Sequence, residues 1–136
     1  MLAQPDAQPT TLYRVMIVDG VGRPVCGDGD NMLGARVPVD IKPDAEGVVA
    51  PGRGGMSVSP DNPRNLPFFL LPLSLGGKGA LPLFSLAVSK LAPRLSYRPD
   101  PKRPKKHGFV EPAVAMALVE HQAALAATCP DWRLEP

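Results

Sequence analysis

The chain has 136 residues, 44% of them hydrophobic, which is enough for one domain with a real core. Its 13 glycines and 18 prolines exclude a mainly helical fold, because each interior proline costs a helix about 3 kcal/mol. The 15 Lys and Arg against 13 Asp and Glu leave a net charge of +2, which gives no general nucleic-acid or membrane signal.

Residues 1–10 are polar, with Pro5 and Pro9, and read as a flexible N-terminus; residues 11–136 read as a single domain. No basic stretch leading into an apolar one precedes Leu12, so a secretory signal is not expected and a cytosolic location is. Thr11 to Asp19 is rich in β-branched and apolar residues and predicts a buried strand. Residues 20–36 hold five glycines and read as loop. Val37 to Ile41 alternates and predicts an edge strand, where Pro38 is tolerated. Asp44 to Gly47 is a turn, and the glycine-rich stretch from Pro51 to Gly55 enters a strand at Met56 to Ser59.

Phe68 to Leu75 and Leu81 to Val88 predict two further apolar strands around Gly76-Gly77-Lys78-Gly79. The run from Leu66 to Leu75, broken by Pro67 and Pro72, is far shorter than the ~20 residues of a membrane helix. Leu91 to Tyr97 is a weaker element, Arg98 to Lys106 an extended basic loop, and Gly108 to Glu111 the last strand. Pro112 then opens a helix over Ala113–Thr128, stopped by Pro130, with Trp132 packing back on the core. Cys26 and Cys129 show no metal spacing and read as free thiols of a reducing compartment.

Four groups carry candidate chemistry. Arg14 lies inside an apolar strand, where burial is costly without a partner. It is either half of a structural ion pair or a guanidinium fork for phosphate or carboxylate. Ser57 and Ser59 alternate with Val58 and share one strand face. That face is either half-exposed or a ligand wall, reached closely over the preceding glycines. His107 and Glu111, four apart, face one side if both stand on the strand. They are either surface groups or two members of one cleft. The basic run from Arg98 to Lys106 is either a solvated loop or a binder of diphosphate or of an acidic partner. No GxxxxGK[ST], GxGxxG or HExxH motif is present, which argues against a P-loop NTPase, a Rossmann enzyme and a zincin.

Leu12-Tyr13-Arg14, Gly54-Gly55-Met56-Ser57-Val58-Ser59 and His107-Gly108-Phe109-Val110-Glu111-Pro112-Ala113, taken in this order, resemble the blocks of the Tse-type ADP-ribosyltransferase toxins. These are type VI secretion effectors and their bacterial and fungal relatives. Tyr97-Arg98-Pro99-Asp100-Pro101 is also similar to that group. The resemblance spans residues 11 to about 133. It implies a compact α+β fold of two small packed β-sheets with a C-terminal helix, holding NAD between the sheets. It implies a toxin acting in the cytosol of target cells, with an unknown macromolecular acceptor, a cognate immunity protein and no membrane partner. It matches Arg14 to the first-strand arginine, with Tyr13 beside it, Ser57 to the central serine, and His107 to the late histidine. On this view Arg14, Tyr13, Ser57 and Ser59 hold NAD, Ser57 and His107 serve the chemistry, and no metal takes part; the further assignment of Glu111 to the chemistry is inferred from its position four residues after His107. The E-x-E or Q-x-E motif of the wider superfamily is absent. The alternative is a non-catalytic binding or inhibitor protein on a degenerate transferase fold.

Overall fold

The computed structural model describes residues 8–136. Most of the N-terminal segment expected to be flexible, residues 1–7, lies outside the described residues. Thr10 within it is held: its amide donates to the Asp61 carboxylate at 3.0 Å, and its carbonyl accepts from Val88.

Strand β1 (Thr11–Val15) is the hinge of the architecture. It pairs antiparallel along its whole length with β4 (Leu83–Ala87), from Thr11 opposite Ala87 to Val15 opposite Leu83. β4 in turn pairs with β8 (Arg133–Leu134). On the other side β1 meets β3 (Met56–Pro60) through two residue pairs, Leu12 with Pro60 and Tyr13 with Ser59. β3 pairs with β6 (Gly108–Pro112), and β6 with β5 (Leu95–Pro99). The result is one six-stranded antiparallel sheet, ordered β5-β6-β3-β1-β4-β8. A separate two-stranded sheet joins β2 (Val48–Val49) to β7 (Met116–Ala117), and β7 runs directly into the helix α1 (Leu118–Ala127). The fold is therefore α+β, with antiparallel sheets and one C-terminal helix.

Strand alternation builds the core. Leu12, Met56, Phe84, Leu86 and Val110 are buried on one side of the sheet, joined by Leu125 of α1 and by Trp132. Fully burying each such side chain contributes about 1.5–3 kcal/mol. Trp132 packs back as its position predicts, its indole donating to the Thr128 hydroxyl at 2.9 Å. Cys26 and Cys129 are both free thiols. They lie together in space: burial raises the Cys26 pKa first, and the adjacent Cys129 thiol adds to it.

Three predicted elements differ. Val37 to Ile41 is a turn in place of a strand, because the Arg36 carbonyl accepts from both the Asp40 and Ile41 amides. Phe68 to Leu75 is a coiled loop ending in a short 3-10 turn at Leu73–Leu75. Pro67 and Pro72 take donors out of the run, and the Pro67 carbonyl collects the Leu70 and Leu71 amides. The helix begins at Leu118, five residues later than Ala113, since β6 continues through Pro112 and Met116-Ala117 are taken by β2. Glu111 is thus on a strand and has no helix N-terminus beside it.

Candidate functional site

The β1–β3 seam makes the site. After two paired residues the strands part, and the Arg14 side chain fills the gap left by the ladder. Its Nη1 donates to the Ser57 carbonyl at 2.7 Å and its Nη2 to the Met32 carbonyl at 2.8 Å. Arg14 belongs to the inward alternation of β1, with Leu12 opposite Leu86 and Arg14 opposite Phe84. It reaches the site only because the strands separate beside it.

A cleft of about 350 Å3 opens there, toward the small end of the range for ligand sites. Its walls include Arg14, Ser57, Ser59 and His107, with Arg36 and Arg103 as further cations. Leu66, Pro67, Phe69 and Leu70 supply an apolar side, and Phe69 is 70% exposed. Four of the residues singled out in the sequence, drawn from its three separate blocks, therefore share one cleft.

Electrostatically the cleft is uneven. Arg36 is neutralised, bonding both Asp40 oxygens at 3.1 Å and Asp30 at 3.1 Å. Arg14 is 9% exposed and, among the described residues, has no carboxylate within bonding distance; its two contacts are neutral carbonyls, and its Nε has no partner among those residues. Burial pushes its pKa down to about 10, opposed by Asp40, so the guanidinium stays charged at neutral pH. A buried cation without a counter-ion is costly, and an anion in the cleft offsets that cost. The fork is not free to swing, because two carbonyls hold it as a fixed charge.

His107 precedes β6 and stands across the hairpin from Asp100. The register that sets Arg98 opposite Phe109 and Pro99 opposite Gly108 brings these two together as the next pair. The Asp100 carboxylate lies 2.8 Å from His107 Nδ1, and the Asp100 amide donates to the His107 carbonyl at 2.9 Å. The Asp100 carboxyl is held below its ordinary range, first by the Lys102 amide and then by His107.

Two residues assigned to the site lie elsewhere. Tyr13 is half-buried between Ser59 and Ser85 on neighbouring strands and does not line the cleft. Glu111 does not line it either. Its carboxylate accepts from Arg98 Nε and from the Gly52 amide, both at 2.8 Å, and its side chain is 8% exposed. Phe109 stands between it and His107, meeting the imidazole edge-on at 5.0 Å and carrying the Arg98 guanidinium at 4.9 Å. The glycines before Ser57 also do something other than expected. A Cβ on Gly55 would strike the Val110 carbonyl, so this glycine lets two backbones meet rather than admitting a ligand.

Asp100 was not among the expected site residues, although the hairpin pairing of LSYRP with GFVEP places it opposite His107. Among the described residues no cluster of His, Cys, Asp and Glu is arranged for a metal, and no helix is long and apolar enough to cross a membrane. No protein-family model, curated protein or solved structure matches the chain. What the cleft does follows from its chemistry alone.

Proposed function

We propose that the chain is an ADP-ribosyltransferase-like toxin that binds NAD in the β1–β3 cleft, cleaves the nicotinamide–ribose bond and passes ADP-ribose to a macromolecular acceptor. One observation carries this: Arg14, Ser57, Ser59 and His107 come from three distant blocks and converge on one cleft beside a buried, uncompensated guanidinium. The pyrophosphate of NAD supplies the anion that Arg14 lacks. Arg103, which makes no ion pair among the described residues, extends the positive wall. The apolar side around Phe69 and Leu70 suits a planar ring. Bond cleavage builds oxocarbenium character on the ribose, as in glycoside hydrolysis. Ser57 and Ser59 orient the ribose hydroxyls, and His107 handles the proton. The resemblance adds a cytosolic site of action and a cognate immunity protein.

Purified protein incubated with NAD is expected to release nicotinamide, and Ser57→Ala or His107→Ala to abolish this while remaining folded. Expression in a bacterial cytosol is expected to be harmful, and the same variants to relieve it. Equal toxicity of the wild type and both folded variants would reject the cleft as the site.

The placement of Glu111 favours a second reading. The carboxylate expected near the ribose is instead held by Arg98 and Gly52, which suits a protein that binds a nucleotide without turning it over. Saturable NAD binding with no nicotinamide release selects that reading.

A further inference from the structure

His107 has a partner whose consequence goes past nucleotide binding. The imidazole forms part of the cleft wall while its Nδ1 is turned to Asp100. Both side chains are largely covered, at 20% and 13% exposure, so the pair is held and not merely met on the surface. Two backbone hydrogen bonds fix the main chain of His107 and one contact fixes its ring. The Asp100 amide closes the loop on the His107 carbonyl, the His107 amide donates to the Arg103 carbonyl, and Phe109 abuts the ring edge-on.

An ionised carboxylate can only accept. With Asp100 ionised, Nδ1 must carry the proton, and Nε2 is left without one in the neutral ring. Nε2 makes no hydrogen bond among the described residues. We propose that Asp100 is a positioning residue that holds His107 in its Nδ1–H form and so makes Nε2 the proton acceptor of the cleft.

Resting on the NAD reading, this names the class of acceptor. A base at that point serves a nucleophile that must lose a proton, such as a hydroxyl group or water. The nicotinamide–ribose bond breaks with its electron pair leaving on nicotinamide. The acceptor oxygen forms the new bond to the ribose carbon, and its proton passes to His107 Nε2 and then to solvent. An acceptor that is already an anion, such as a carboxylate, gains nothing from this base. The charged groups around the ring are Asp100 at Nδ1, Arg103 on the same loop, and Arg14, Arg36 and Asp30 along the cleft.

The test uses the full chain and reads the tautomer directly, by long-range nitrogen–proton NMR of the imidazoles. The chain has two histidines, so His107→Gln assigns the signals. The wild type is expected to show the Nδ1–H form at His107. Asp100→Asn, whose amide can also donate, is expected to lose that bias, and Asp100→Glu to restore much of it. Nicotinamide release by Asp100→Asn is expected to fall about 10²-fold in kcat with KM within about threefold, the scale of lost general-base catalysis. An Nε2–H form in the wild type, or the same tautomer populations in wild type and Asp100→Asn, overturns the proposal whether or not NAD is turned over. A bias that Asp100 controls, with no nicotinamide release at any pH, supports the positioning role and rejects the NAD reading.

Discussion

Just before β6, His107 stands at an open cleft, paired with Asp100 across a hairpin. At the end of the same strand, Glu111 is buried and engaged by an arginine and a backbone amide. Glu111 follows His107 by four, and the alternation that β6 continues puts both on the same side. The difference lies in what the neighbouring strands and loops bring. At the His107 end the ring lines the open cleft together with Ser57, Ser59 and Arg103. At the Glu111 end the loop carrying Gly52 closes over the strand, and Arg98 comes across from β5. Periodicity places two side chains on one side of a sheet; it does not tell which of them meets solvent.

The largest effect that tests this contrast is on stability. Glu111→Ala leaves Arg98 and the Gly52 amide without their acceptor in a covered site, and is expected to cost about 3–5 kcal/mol, read from urea unfolding. A variant of near wild-type stability that has lost nicotinamide release would move the chemistry to this end of the strand and undo the comparison. Next comes the His107 end. His107→Gln is expected to lower nicotinamide release about 10²-fold, or roughly 2.7 kcal/mol in the barrier, while unfolding shifts by less than about 1 kcal/mol.

A third effect sharpens the buried side of the contrast. His121 of α1 is fully buried, neither ring nitrogen has a partner among the described residues, and burial pushes its pKa down to about 4, with Glu111 opposing. Its folded pKa lies below the unfolded value of 6.5, so the unfolded chain binds more protons between the two. Its contribution to stability is full above pH 6.5 and lost as pH falls toward 4, on the order of 3 kcal/mol. His121→Leu is expected to flatten that part of the stability profile, and an unchanged profile would show that His121 does not carry it. The smallest effect lies at the rim. Replacing exposed Lys102 and Lys105 together by alanine is expected to leave stability within about 0.5 kcal/mol and to raise the KM for NAD a few-fold at low salt only. A salt-independent change would place these lysines in contact with the ligand.

Much of the sheet was legible. TLYRV, MSVSP, LFSLA and GFVEP are all strands, because β-branched or aromatic residues fill them and turn residues bound them. What escaped was decided by partners distant in sequence. Met116 and Ala117 belong to a good helix-forming stretch, yet Val48 and Val49 claim them for a strand. Phe68 to Leu75 looks like strand from its side chains, but two prolines and the close approach of Gly77 to the Leu71 backbone make it a loop. At the site, strand alternation predicted the common face of Ser57 and Ser59. It could not predict that Arg14, on the opposite alternation, reaches the same cleft through a parted seam. Asp100 was hidden for a simpler reason: a basic, proline-rich loop draws attention to its charge and away from its register.

The seam also has a consequence for the order in which the chain acquires its shape. β5 and β6 form a local hairpin closed by a short loop, which already contains the Asp100–His107 pair. β1, made before the other strands, has its partners more than 40 residues downstream in β3 and more than 65 downstream in β4. Distant pairings close large loops and are slow to form. The hairpin is therefore expected to be protected early and the β1–β3 junction late, an order that pulsed hydrogen exchange during refolding would register. Until β1 docks, the histidine is in place but the wall that holds Arg14 is not. A nascent chain thus carries the parts of its site for some time before it has the site, and any activity of the cleft begins only with the completed fold.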